Sequence, residues 1–338
     1  MTIRARTENY ELNNLSSYAF RSSETKGRKN PCDPCDVRTD FQRDRDRITH
    51  SKAFRRLMHK TQVFIFPDSD HCRTRLTHTI EVSQISRAIS RALKLNDDLT
   101  EAIALGHDLG HTPFGHIGEE VLNKLNPRGF EHNAQSVRIC TRLENGGRGL
   151  NLTSEVLEGI FNHRSKFAPK TLEAKVVQIS DKIAYVNHDI DDAVRAGLIK
   201  ISDLPKNCIE VLGNSASERI NTLINSIIVN SIDENHVKMD ENVEEALKGL
   251  RAFMFENVYL DGEHLKNSFK VEHTLRGLYD YYIDNPKNMP SEYVLMLEAG
   301  EELPVIVCDY VAGMTDRYVS KIYSEMFMPT DKIWQRGF

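Results

Sequence analysis

The sequence predicts a mainly α fold, and three observations carry that expectation. Apolar residues recur at three- and four-residue spacing along most of the 338-residue chain, the period of helices that bury one face. Runs that alternate polar and apolar residues, as a half-buried strand requires, are few. No internal repeat and no low-complexity tract interrupts the pattern, so a solenoid is excluded.

Taken in order, residues 1–37 are polar, broken by Gly, Pro and Ser clusters and without a period, which predicts a mobile or extended N-terminal arm. From Thr39 the pattern turns helical. The stretch THTIEVSQISRAISRALKL places Ile80, Ile85, Ile89 and Leu93 on one face, with His78 near its start. Next, DDLTEAIALGHDLGH opens on an Asp97/Asp98 cap region and carries Leu99, Ile103, Ala104 and Leu105 up to His107 and Asp108, before Pro113 closes it. His78 and His107 thus belong to consecutive helices. A long helix is expected over roughly 171–196, stopped by Gly197. On it Asp181, Tyr185 and Asp189 stand at i, i+4 and i+8 and share one side, while Val176, Ile179, Ile183 and Ile190 pack elsewhere. Taken alone, such a face is what any exposed amphipathic helix displays. Helical patterning continues beyond Ile201, so residues 38–200 read as a core and 201–338 as a C-terminal helical region packed on it.

Composition narrows the classes. With 40% hydrophobic and 28% charged residues and no apolar run near the length of a membrane span, the chain reads as globular, with no membrane partner. The N-terminal arginines are not followed by an apolar segment, so no secretory signal is expected and the cytoplasm is the expected compartment. Six scattered cysteines do not make a disulfide scaffold, and Cys32 and Cys35 form a lone C-x-x-C without the second ligand pair that a zinc site needs. A net charge of −5 argues against a generally basic nucleic-acid protein. The charge is uneven, however. In DFQRDRDRITH the arginines alternate with Asp44 and Asp46, as on a self-neutralising exposed helix face, whereas FRRLMHKTQVF holds less acid and suits an anion.

The segment GHDLGHTPFGH concentrates three histidines and an aspartate in eleven residues of a chain that has only 13 histidines. Imidazole is the commonest metal ligand and titrates near neutrality, so this cluster points to a metal or acid-base site. Set beside His78 and Asp181, the adjacent His107 and Asp108 complete two nitrogen and two oxygen donors from three helices. Such a set suits one octahedral divalent ion, Mn²⁺, Fe²⁺ or Mg²⁺, better than a thiolate-rich zinc centre does. An ion of this kind acidifies water and polarises a phosphoryl oxygen, which makes phosphoester hydrolysis its natural use. The H-x-x-x-H spacing of His107 and His111 also approaches the H-E-x-x-H of zinc proteases, but Asp108 replaces the glutamate, Gly110 weakens the helix and Pro113 ends it.

RTRLTHTIEV, GHDLGHTPFGHIGEE and SDKIAYVNHDIDDA together resemble the H…HD…D motif of the HD-domain phosphohydrolases, and more narrowly the dGTPase-like deoxynucleoside triphosphate triphosphohydrolases. The resemblance extends to FQRDRDRITHSKAFRRLMHKTQVF upstream and DYVAGMTDRYV downstream. It implies an HD-domain helical core that hydrolyses dNTPs to deoxynucleoside and triphosphate by attack of metal-activated water at the α-phosphate. His78, His107, Asp108 and Asp181 match the metal ligands. His116 and Glu119 match the pair that handles protons at that phosphate, and His111 and His132 match further active-site histidines of some members. Arg75 matches a phosphate-binding arginine, Lys182 and Tyr185 match phosphate and sugar contacts, and Gln62 and Asp189 match groups at the deoxyribose 3′-hydroxyl. A homo-oligomer, and a dNTP or single-stranded nucleic acid as effector, are further implications. The alternatives are another HD phosphohydrolase, a nucleotidase or phosphodiesterase, and a non-catalytic nucleotide or nucleic-acid sensor. His163 reads as a surface or packed histidine and Arg317 as a phosphate contact or an ordinary salt bridge, while His50, His59 and His71 have no assigned role.

Overall fold

The structure, a computed structural model, describes residues 1–62, 73–259 and 262–329. His71, Cys72, Val63 and Phe64 lie outside the described residues. Sixteen α-helices are present among the described residues, and the only β-pairings are the isolated bridges Arg28 to Thr153 and Thr61 to Thr74. The mainly α expectation therefore holds.

The N-terminal arm departs from expectation. Residues Ile3–Asn14 form α1, whose first turn is capped by the Thr2 hydroxyl accepting from Ala5 N. What holds α1 is polar, so no apolar period marks it. Arg4 Nη2 reaches Asp40 Oδ2 at 2.8 Å, and the buried Glu11 accepts from Ser22 N and Ser22 Oγ, both at 2.7 Å. Further along, Thr25 and Lys26 bond Glu155, and Arg28 is paired with Asp40 and with the wholly buried Asp44.

The central helices are α2 (Asp40–Thr49), α3 (Lys52–Arg56), α4 (Arg75–Ala92), α5 (Asp97–Gly106), α6 (Gly115–Leu125), α7 (His132–Arg138), α8 (Ser154–Asn162) and α9 (Leu172–Arg195). α4 packs on α5 and α9, and α5 also packs on α2 and α8. α2 is less exposed than its alternating charges suggested. Phe41, Asp44 and Ile48 face inward, and Asp44 accepts from Thr153 N at 2.8 Å and Thr153 Oγ1 at 2.7 Å. The cap of α5 is Asn96, through Leu99 N, rather than Asp97 or Asp98. α9 is capped by Ala196, and Gly197 takes φ +73, a left-handed conformation that glycine adopts without a side-chain clash.

The C-terminal helices divide between two cores. α10 (Lys206–Leu212), α11 (Ala216–Ser231) and α12 (Glu241–Met254) bring Leu212, Leu223, Ile227 and Leu250 into the main core with α4, α5 and α9. α13 (Gly262–Asp284), α14 (Ser291–Glu298), α15 (Leu303–Ala312) and α16 (Asp316–Phe327) instead build a second core on Phe114, Ile117, Val121 and Leu122 of the α6 segment. The segment between α5 and α6, which holds the histidine cluster, thus runs from one core to the other. No helix among the described residues is long and apolar enough to cross a membrane.

Candidate active site

α5 stops at Gly106, and His107 follows as its C-terminal cap with its ring turned back, Nδ1 lying 2.6 Å from Ala104 O. A carbonyl only accepts, so that contact assigns the ring proton to Nδ1 and leaves a lone pair on Nε2. His107 Nε2 is buried and has no hydrogen-bond partner. It lies 3.8 Å from Asp181 Oδ1 and 3.8 Å from Asp108 Oδ1. His78, on the first turn of α4, places Nε2 3.2 Å from the same Asp181 oxygen. Donor atoms of His78, His107 and Asp181 all fall within 4.8 Å of one another.

A buried bare imidazole nitrogen facing two carboxylates is the donor set of a divalent cation, and an oriented Nδ1–H is how a ligating histidine is commonly held. The residues therefore fit an ion. Burial alone would raise the Asp181 carboxyl, but the bond to His78 and the nearby His107 hold it well below the usual carboxylate range. Asp108 is likewise held low against its burial, first by Arg75 and then by His107. Its Oδ2 accepts from Arg75 Nη1 at 3.0 Å, and its Oδ1 lies 3.2 Å from His111 Nε2. Arg75 Nε, in the same buried side chain, has no partner.

The loop after Asp108 is shaped by close backbone approach. A Cβ at Gly110 would stand 2.2 Å from His132 O and 2.2 Å from Ser136 N, so only glycine lets this turn lie on the start of α7. Gly110 N donates to Ser136 Oγ, which in turn donates to His107 O. Gly115, at φ +58, would put a Cβ 3.0 Å from Gln62 O and 3.1 Å from Arg75 Nη2.

Glu119 and its histidines are arranged differently from the sequence expectation. His116 is 80% exposed, with Nδ1 3.8 Å from Glu119 Oε2, beyond hydrogen-bond reach. Glu119 instead holds His132, accepting from His132 N at 3.1 Å and facing Nδ1 at 2.8 Å, and it also accepts from Arg164 Nη1 at 3.3 Å. Its carboxyl would be raised by burial, but His116 and His132 keep it far below the usual range. The His132 ring stacks on His111 with centroids 4.0 Å apart. Burial lowers the basicity of both rings, most strongly for His111, while Glu119 partly restores that of His132.

Two more histidines complete the cluster. His163, at the end of α8, is buried with Nδ1 on Ile160 O at 2.7 Å, Nε2 3.1 Å from His132 Nε2, and its ring edge toward His107. Holding the bonds from Glu119 through His132 and His163 to Ile160 O together takes one proton more than two neutral rings carry. Burial, reinforced by His107 and His132, pushes His163 down to about 3. His188 on α9 is buried beside His78, with Nε2 3.0 Å from Glu81 Oε2. Burial, with His78, lowers it to about 2. The sequence carried a signal for His188, seven residues beyond Asp181 on one helix face, but none for His163.

The remaining expected residues lie as follows. Gln62 is half-buried, and its Oε1 is buried without a partner. Tyr185 and Lys182 are half-buried on α9 and Asp189 is buried. Burial raises the Tyr185 phenol to about 12 and lowers Lys182, which Lys175 lowers further. Arg317 is exposed, and Cys32 and Cys35 are free thiols.

Residues 75–186 match the HD domain, and residues 237–325 match a phosphohydrolase-associated domain. A deoxyguanosinetriphosphate triphosphohydrolase-like protein of Caldanaerobacter subterraneus subsp. tengcongensis is 55% identical, covering 100% of this chain and 99% of its own. One of the same description from Clostridium perfringens is 50% identical over 97% of this chain and 98% of its own. One from Geobacter sulfurreducens is 40% identical over 96% and 97%.

Proposed function

This chain belongs to the deoxyguanosinetriphosphate triphosphohydrolase-like family of HD-domain phosphohydrolases, and on that premise we propose that it hydrolyses deoxynucleoside triphosphates to deoxynucleoside and inorganic triphosphate. The observation that carries the reading is a pair of buried polar atoms left without partners around the two carboxylates: His107 Nε2, which faces both, and Nε of Arg75, whose Nη1 holds Asp108. Unpaired buried polar atoms cost free energy, and two beside one metal-type donor set are what a cation and an anionic substrate would satisfy.

His78, His107, Asp108 and Asp181 would hold one divalent ion, with Mn²⁺, Mg²⁺ and Fe²⁺ all suited to two nitrogens and two oxygens. Bound there, the ion supplies Lewis acidity toward water and toward a phosphoryl oxygen. Arg75 offers its free Nε to a phosphate oxygen while its Nη1 bond to Asp108 keeps the fork aimed, and Lys182 adds a second cation to the phosphate chain. Gln62 Oε1 accepts from a sugar hydroxyl, with Asp189 taking the other side. Tyr185 remains a phenol at neutral pH and donates to, or packs on, the sugar. The 5′-oxygen of the leaving nucleoside needs a proton, which exposed His116 delivers at the mouth while Glu119, His132 and His111 form the buried wall behind it. We further propose a cytoplasmic homo-oligomer responsive to a dNTP or to single-stranded nucleic acid.

The test is incubation of the protein with each dNTP, the matching NTPs and dNMPs, with and without Mn²⁺, and separation of products by ion exchange. Deoxynucleoside and triphosphate from dNTPs alone support the proposal. Release of phosphate from dNMP, or no turnover of any nucleotide, overturns it.

A further inference from the structure

A buried acid from outside the HD domain grips the active-site loop. Asp316 is the first residue of α16 and only 2% exposed. An acid at a helix start ordinarily serves the helix's own N–H groups, but here that service is done by Thr315, whose hydroxyl accepts from Tyr318 N at 3.2 Å. The Asp316 carboxylate is spent on two distant segments. Oδ2 accepts from Thr61 N at 2.9 Å and Thr61 Oγ1 at 2.6 Å, and Oδ1 accepts from Phe114 N at 3.0 Å.

Both segments bear directly on the site. Thr61 precedes Gln62, and Lys60 O accepts from Arg75 N at 3.0 Å, so this stretch sets the start of α4. Phe114 lies between His111 and His116 and adopts φ +61, a left-handed conformation that costs a bulky residue free energy unless its surroundings hold it. Lys60, wholly buried, makes a parallel tie by donating to His111 O and, at 2.9 Å, to Ala312 O beside the same α15–α16 corner. The basic stretch that the sequence suggested for an anion therefore turns this lysine inward, onto carbonyls.

We infer that Asp316 is a positioning residue: through Phe114 N and Thr61 it fixes the loop that carries His111 and His116 against the stretch that carries Gln62, so the C-terminal helices complete the catalytic geometry. The inference rests on the proposed dNTP hydrolysis for its kinetic consequence but not for its structural one. Asp316→Asn leaves one acceptor oxygen for three donors and turns an N–H toward one of them. A comparable buried acid supplies the control. Asp309 on α15 takes Gln135 Nε2 at 2.9 Å and Arg138 at 2.7–2.9 Å, tying the C-terminal helices to the core without touching residues 111–116.

The experiment compares Asp316→Asn with Asp309→Asn in the full chain, measuring melting temperature, kcat and KM for a dNTP, and amide hydrogen exchange of the 111–116 segment. The expected result is that Asp316→Asn lowers kcat about tenfold or more, moves KM less than about threefold and loses protection at 111–116, while Asp309→Asn loses comparable stability with kcat within about threefold and protection intact. Thr61→Val, which removes only the hydroxyl bond, shows the same split at smaller size and serves where Asp316→Asn is insoluble. Equal exchange and equal kcat in the two aspartate variants overturn the inference. If the wild-type protein turns over no nucleotide, the functional proposal fails, while loop exchange still decides this one.

Discussion

Replacing Glu119 by glutamine distinguishes two ways in which the same residues can cooperate. In the structure one carboxylate oxygen takes His132 N and Arg164, and the other faces His132 Nδ1 at 2.8 Å, against 3.8 Å to His116. An amide has one acceptor oxygen, so Glu119→Gln must turn an N–H toward a donor it formerly satisfied. The His132 contact is enclosed, with side chains 12% and 7% exposed, so water screens it little. A hydrogen bond to a charged group contributes about 1.5–3 kcal/mol, which, if realised only in the transition state, corresponds to about 10–150-fold in kcat. The assay is steady-state dNTP hydrolysis by Glu119→Gln, His132→Ala, His116→Ala and the two doubles that contain Glu119→Gln. A shared unit predicts that Glu119→Gln with His132→Ala is no slower than the worse single variant, whereas Glu119→Gln with His116→Ala multiplies the two losses. The opposite pattern, coupling to His116 and independence from His132, refutes the reasoning and restores the pairing expected from sequence.

Two further perturbations test the metal donors and the fold that carries them. Asp181→Asn should weaken divalent-ion affinity by about 100-fold or more, read by titration calorimetry or metal content, with far-ultraviolet circular dichroism unchanged; full occupancy in the variant contradicts the ligand assignment. Glu173, buried in the first turn of α9, accepts from Phe20 N and Asn96 N through one oxygen and leaves the other unpartnered. Burial pushes its carboxyl up from 4.5 to about 7, with the two N–H groups pulling the other way. The folded state therefore keeps a proton that the unfolded chain releases, and this contribution to stability is complete below about 4.5 and lost as pH rises toward about 7. Glu173→Gln keeps both acceptor bonds and does not titrate, so its melting temperature should exceed wild type at pH 8 and lose that advantage at pH 5. An equal difference at both pH values contradicts it.

The parts of the molecule legible in sequence are those whose cause is local. α9 was readable to within a residue because apolar periodicity and the stop at Gly197 both act within one helix. The convergence of His78, His107 and Asp181 was readable because the ligand types are chemically narrow and each sits on a recognisable helix. What escaped was settled by contacts across the chain. α1 is held by Asp40 and Ser22 rather than by an apolar face, so its sequence looks like an arm. The family resemblance paired Glu119 with His116, yet the turn at Gly110 brings α7 close enough for His132 to take the carboxylate. His163 and Asp316 reach the site from α8 and α16, and no local spacing announces either.

The most direct test of the central claim is hydrolysis of a dNTP in oxygen-18-labelled water, with mass analysis of both products. Attack of water at the α-phosphate with departure of the 5′-oxygen predicts one labelled oxygen in inorganic triphosphate and none in the deoxynucleoside. Label in the deoxynucleoside, or dNMP and pyrophosphate as the main products, would contradict the account even if all four metal ligands were correct.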